Sequence, residues 1–149
     1  MTSIFKTLNQ FRFTAMAISF LTACGSSGAS DNTKFAGLCL KNDNAGRCEC
    51  MGKAVRTSID DNDFHTVAEN LKVGDFGVSG SELQSNIENL VGSKHHYLLS
   101  KNLGQGCVTT YLSGGPGVSN MNKMFDEDGR HTDGAHKGKR DYEAYPNAS

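Results

Sequence analysis

The stretch Asp60-Asp61-Asn62-Asp63-Phe64-His65-Thr66-Val67-Ala68-Glu69-Asn70-Leu71 decides the fold class. Phe64, Val67, Ala68 and Leu71 recur at i, i+3, i+4 and i+7, one face of a helix with 3.6 residues per turn. The polar residues ahead of them supply an N-cap and carboxylates that complement the positive end of a helix. Gly74 then offers a stop.

The same period extends to both sides. Upstream, over about 47–58, Met51, Ala54 and Val55 fall at i, i+3, i+4, and Cys48 and Cys50 widen that face. Downstream, residues 72–80 contain three glycines and read as a loop. Ser81 with Gln84 has a capping-box pattern. It opens a third stripe of Leu83, Ile87, Leu90 and Val91, which Gly92 ends. Ser93 can cap a fourth segment, with Leu98, Leu99 and Leu103, and the steps of four continue to Cys107 and Tyr111. Gly104 and Gly106 weaken that helix by about 1 kcal/mol each relative to Ala. A short strand over 107–111 is the alternative; a kinked helix is the favoured reading. Elsewhere no strand alternation persists, and no repeat of solenoid period occurs. The expected fold is all-α: a small disulfide-stapled domain of about four short helices.

The N-terminal residues form a different kind of segment. Lys6 and Arg12 provide a positive start, and Phe13, Ala15, Met16, Ala17, Ile18, Phe20 and Leu21 form a short apolar run. The run is shorter than the roughly 20 residues a membrane-spanning helix needs. It closes on Leu21-Thr22-Ala23-Cys24, followed by Gly25-Ser26-Ser27-Gly28. This arrangement resembles the lipobox of bacterial lipoproteins. The resemblance implies that residues 1–23 are a removable signal and that Cys24 becomes the lipidated first residue of the mature chain. Several acyl chains on Cys24 would hold the protein at a membrane without a spanning helix. Gly25, rather than Asp, implies outer-membrane sorting by the rule described for enteric bacteria.

Removing 23 residues leaves 126, with 13 basic and 16 acidic side chains and a formal charge of −3. That length allows one domain at most, and that charge is no footprint for nucleic acid. Residues 24–37 read as a lipidated cysteine and flexible tether, and residues 114–149, opening on Gly114-Gly115-Pro116-Gly117, as a disordered polar tail. The domain between them, 38–113, is small enough to need staples.

Cys39, Cys48, Cys50 and Cys107 are an even set in an expected oxidising compartment. A bond from Cys48 to Cys50 is badly strained. Both other pairings link the Cys48/Cys50 pair once to Cys39 and once to Cys107. Loops of about 10 and 60 residues should contribute roughly 2.7 and 4.3 kcal/mol on the loop-entropy model.

Few residues suggest chemistry. Cys48-Glu49-Cys50-Met51 has soft ligands for Cu(I) or Zn and could exchange disulfides, but Cys39 and Cys107 as partners favour structural bonds. His95-His96 lie about 100° apart on a helix, poorly placed to share an ion. His65 falls at the edge of the apolar stripe. Asp126-Glu127-Asp128-Gly129 is similar to the middle of a calcium loop, yet Met124 and Ala135 occupy the first and twelfth ligand places. His131 and His136 read as part of a solvated tail. Gly77-Val78-Ser79-Gly80-Ser81 lacks the last glycine of G-x-S-x-G, and Gly104-Gln105-Gly106 lacks the third glycine of a dinucleotide loop.

The expectation is a lipid-anchored envelope protein, not an enzyme, that acts as a binding or structural module. No cofactor or metal is expected, and the partners are the membrane, through the lipid on Cys24, and another envelope protein. The alternative is a periplasmic metal-binding or thiol-redox protein using Cys48, Cys50 and Met51.

Overall fold

Asp60 starts a helix as its sequence predicts: its Oδ1 accepts the Asp63 N–H at 2.9 Å. In the computed structural model, which describes residues 27–77, 79–108 and 117–148, that helix is the third of the chain. The elements are α1 (Ser27–Cys39), α2 (Ala45–Ser58), α3 (Asp61–Asn70), a 3₁₀ turn (Val73–Phe76), α4 (Gly80–Val91), α5 (His96–Leu99), α6 (Gly117–Met124) and α7 (Asp141–Ala144). The chain beyond α5 continues as a wider π-helical stretch, Ser100–Val108. No strand forms among the described residues; Phe125 and His131 make one isolated antiparallel bridge. The fold is all-α.

Local chemistry sets the helix ends. The Asn44 side chain caps α2 by accepting the Arg47 N–H at 2.9 Å. Ser79, two residues before the predicted cap, starts α4 by accepting the Glu82 N–H at 3.2 Å. Gly92 ends α4 at φ 82°, a conformation that costs an L side chain about 1–2 kcal/mol. The cap position of α5 is His95, not the predicted Ser93, and no side chain caps it; the Ser93 carbonyl accepts the His96 N–H at 3.0 Å in the turn before the helix. Gly104 lies within the π-helical stretch, so the weak helix widens rather than breaking. Cys107 and Val108 are helical there, and residues 109–112 lie outside the described set.

The core forms where the predicted stripes converge. Phe35, Phe64 and Phe76 meet, with ring centroids 5.8 Å (Phe35–Phe64) and 5.1 Å (Phe35–Phe76) apart. Met51, Ala54, Val55, Leu83, Ile87, Leu99 and Leu103 are buried around them. Leu90, assigned to the stripe of α4, is exposed. The four cysteines pair as Cys39–Cys48 and Cys50–Cys107, with sequence separations of 9 and 57. The short bond fixes the turn from α1 to α2, and the long one ties α2 to the π-helical stretch.

Both polar ends depart from the sequence reading where they are described. The tether expected over 24–37 is helical from Ser27, because Phe35, Leu38 and Cys39 supply a short i, i+3, i+4 face that packs on α2 and α3. The tail expected to be disordered over 114–149 folds back on α2 from Gly117 to Ala148. Met121 and Phe125 enter the core, and Arg140 and Asp141 are buried. This return explains why α2 is buried far beyond its apolar stripe: Lys53, Arg56, Thr57 and Ser58 are covered as well.

Candidate functional site

The C-terminal return is built on polar contacts. The Asp141 N–H donates to Thr57 Oγ1 at 2.8 Å. Its carboxylate accepts from Asn102 Nδ2 at 3.0 Å and lies 2.8 Å from His131 Nε2. Lys101 Nζ is 3.7 Å away. Asn102 also donates to Ser58 Oγ at 3.0 Å, and Ser58 donates to the Ala54 carbonyl at 2.6 Å. Nearby, the Arg140 guanidinium pairs with Asp61, which also accepts from Arg56 at 3.0 Å. Burial works against the Asp61 charge, but the Arg140 hydrogen bond and the two guanidinium charges hold its carboxyl below the ordinary range.

Between this return and the start of the π-helical stretch two hollows open side by side. The larger, about 710 Å³, is lined by Tyr97, Leu98, Lys101, Tyr145 and Pro146 among others. The smaller, about 310 Å³, is lined by Lys101, Asn102, Met124, His131, Asp141 and Tyr145 among others. Lys101 and Tyr145 line both, so the two hollows adjoin and together make up the cleft face of the return. Tyr97, Met124 and Tyr145 are exposed along it. Lys101 Nζ lies 5.3 Å from the Tyr145 ring centroid, within cation–π range. The cleft thus offers aromatic faces, a thioether and one ammonium group.

No protein-family model, curated protein or solved structure matches this chain. What the chain does is therefore read from its own geometry.

The candidate residues named from the sequence divide sharply in space. Cys24 lies outside the described residues. Cys48 and Cys50 are held in separate disulfides and Met51 is fully buried, so no open Cys-x-Cys-Met ligand set forms. His95 and His96 face different partners; only His96 lies in α5, and His95 belongs to the turn before it. His96 Nδ1 lies 3.0 Å from Glu88 Oε1 and 3.1 Å from Gln84 Nε2. His95 turns inward to Asp60 and Asp63, and burial, then the Lys94 charge, pushes its imidazole below the ordinary range. His65 stays at the surface, 3.1 Å from the buried Asp31 carboxylate.

Asp126 closes a tight turn: its Oδ1 accepts the N–H groups of Asp128 at 3.0 Å and Arg130 at 2.9 Å. His131 is committed to Asp141, and His136 meets Tyr145 edge to face, with ring centroids 5.0 Å apart. Ser79 of the incomplete G-x-S-x-G pattern is the cap of α4. The residues that line the cleft, Tyr97, Lys101, Asn102, Asp141 and Tyr145, carry no motif. The Met121/Phe125 spacing of four was the one apolar signal that the tail returns.

Proposed function

We propose that this is a lipid-anchored protein of the bacterial cell envelope, held through Cys24 at the outer membrane, that works by binding a partner rather than by catalysis. The observation that carries the binding reading is the cleft lined by Tyr97, Tyr145 and the half-exposed Lys101. Tyrosine supplies large contact area at low entropic cost, and exposed aromatic residues with a central cation are the composition of binding surfaces. The ammonium group and aromatic walls suit a peptide segment carrying a carboxylate beside an apolar side chain. A second envelope protein is the natural source of such a segment. The anchor rests on Leu21-Thr22-Ala23-Cys24 and its flanks, and no described helix is long and apolar enough to cross a membrane.

Two measurements test this. Globomycin should leave an unprocessed precursor, and Cys24→Ala a precursor that takes up no labelled fatty acid; normal processing under globomycin, or labelling of Cys24→Ala, would overturn the anchor. A photo-crosslinking residue at position 97 should trap a defined envelope protein in intact cells, and Lys101→Glu should reduce the yield. The same group at Ser85, on the exposed side of α4, should not trap it. Equal trapping at both positions would overturn the cleft as the binding surface.

A further inference from the structure

The N-terminus of α3 and the turn before α5 bring together three ligand-type side chains that the cleft does not use. Asp60 caps α3 with Oδ1, which leaves Oδ2 facing His95. His95 Nε2 lies 3.9 Å from Asp60 Oδ2 and 3.4 Å from Asp63 Oδ2. Nitrogen and oxygen ligands held about 2.0–2.2 Å from a tetrahedral zinc ion stand roughly 3.3–3.6 Å apart; the two distances from His95 come within a few tenths of an ångström of that spacing, and all three ligand atoms lie within 4.8 Å of one another.

A second observation concerns His95 itself. Its Nε2 is shielded from solvent and makes no aligned hydrogen bond, whereas the shielded Asp63 Oδ2 is paired with Lys94. A buried polar atom left unmatched is costly. In either neutral tautomer the imidazole is poorly served: a bare nitrogen faces two carboxylates, and an N–H finds neither of them in line. Edge contact with Tyr142, at 6.3 Å between ring centroids, backs the imidazole. The cation now facing the carboxylates is Lys94, whose Nζ lies 3.1 Å from Asp60 Oδ2 and 2.8 Å from Asp63 Oδ2. Lys94 is half exposed on a flexible stem, so it can swing out and yield its place. It balances the charge of the oxygens but, as a donor-only group, does nothing for a bare imidazole nitrogen.

We infer that Asp60, Asp63 and His95 form a site for a divalent transition-metal ion of the zinc type, with Lys94 as the displaceable cation that occupies it in the metal-free protein. The donor set, one imidazole and two carboxylates, suits zinc, with the remaining position open on the Lys94 side. Such an ion would join α3 to the turn before α5, next to the Arg140–Asp61 contact that anchors the C-terminal return. The inference is independent of the cleft and of the lipid anchor.

The test is titration of the full, metal-free chain in detergent with Zn²⁺ and with Co²⁺, whose visible spectrum reports tetrahedral coordination. One ion should bind per chain and raise the melting temperature, as any ligand selective for the folded state does. His95→Gln should weaken binding by more than about 100-fold, beyond the effect typical of an outer-shell partner. Asp60→Asn keeps the cap and should also weaken it, which separates ligand loss from loss of the helix start. Lys94→Ala should tighten it by about tenfold, by removing a competing charge. Absence of binding, binding unchanged in His95→Gln, or binding seen only in Lys94→Ala would each overturn the inference. The last would make Lys94 the permanent cation of the cluster.

Discussion

Asn102 Nδ2 meets Asp141 Oδ2 at 3.0 Å across 39 residues of chain, and both side chains are buried. The contact joins the π-helical stretch to the C-terminal return, and Ser58 of α2 completes it. Asp141→Ala removes the acceptor shared by Asn102 and His131 and leaves both donors facing a buried gap. Breaking one partner of a buried charged group costs about 3–5 kcal/mol. A loss of at least about 3 kcal/mol is expected in urea unfolding. An unchanged midpoint would show that the return contributes nothing to the stability of the helical body.

Gly129 provides a sharper probe of the same docking. Its φ is 72°, and a Cβ there would come within 2.6 Å of the Thr57 nitrogen and 2.7 Å of the Arg56 Cβ. Gly134 has nearly the same φ, 74°, with nothing within 4 Å of the added carbon. Gly134→Ala should therefore cost only the left-handed penalty of about 1–2 kcal/mol. Gly129→Ala should cost clearly more, and should open Lys137 and Lys139 to trypsin. Equal melting temperatures for the two variants would mean that Gly129 does not abut α2.

The helical body was legible because its signals are apolar and periodic. Phe64, Val67, Ala68 and Leu71 are all buried as their spacing requires, and Leu99, Leu103 and Cys107 hold their steps of four even where the helix widens. The C-terminal return was illegible because polar groups hold much of it. Arg140, Asp141, Thr57, Ser58 and Asn102 are buried in mutual hydrogen bonds and ion pairs, and composition scores such residues as solvated. For α1, the face formed by Phe35, Leu38 and Cys39 was visible but short, and the polar run before it masked the helix. The cleft was hidden for a related reason: Tyr97 and Tyr145 meet only through the return, 48 positions apart in sequence.

Acid should weaken the docking through Asp61. Its folded carboxyl titrates below the ordinary range, because Arg140 and Arg56 outweigh the opposing effect of burial. The unfolded state then binds more protons across that window, so stability rises with pH there. The contribution is present above the unfolded carboxylate value of about 3.9. It is lost as pH falls from there through the folded value. With a chelator present, the wild type should lose more stability across that window than Asp61→Asn. Parallel acid profiles for the two proteins would remove Asp61 as the source.

The two disulfides should differ in weight. Cys39–Cys48 closes a separation of 9 residues and Cys50–Cys107 one of 57. Loop entropy lost by the unfolded chain amounts to about 3 kcal/mol for the shorter bond and about 4 kcal/mol for the longer. Packing widens the gap. Cys50 and Cys107 join the central helix to the stretch that carries Asn102 and Leu103, so releasing them also loosens the wall of the cleft. The pair Cys39→Ala, Cys48→Ala should stay folded with a lowered urea midpoint. The pair Cys50→Ala, Cys107→Ala should lose more stability and bind the cleft's crosslinked partner less well. Peptide mapping without reductant checks the pairing first: recovery of a Cys48–Cys107 peptide would move the long bond to the other cysteine of α2 and reverse which of them each variant releases.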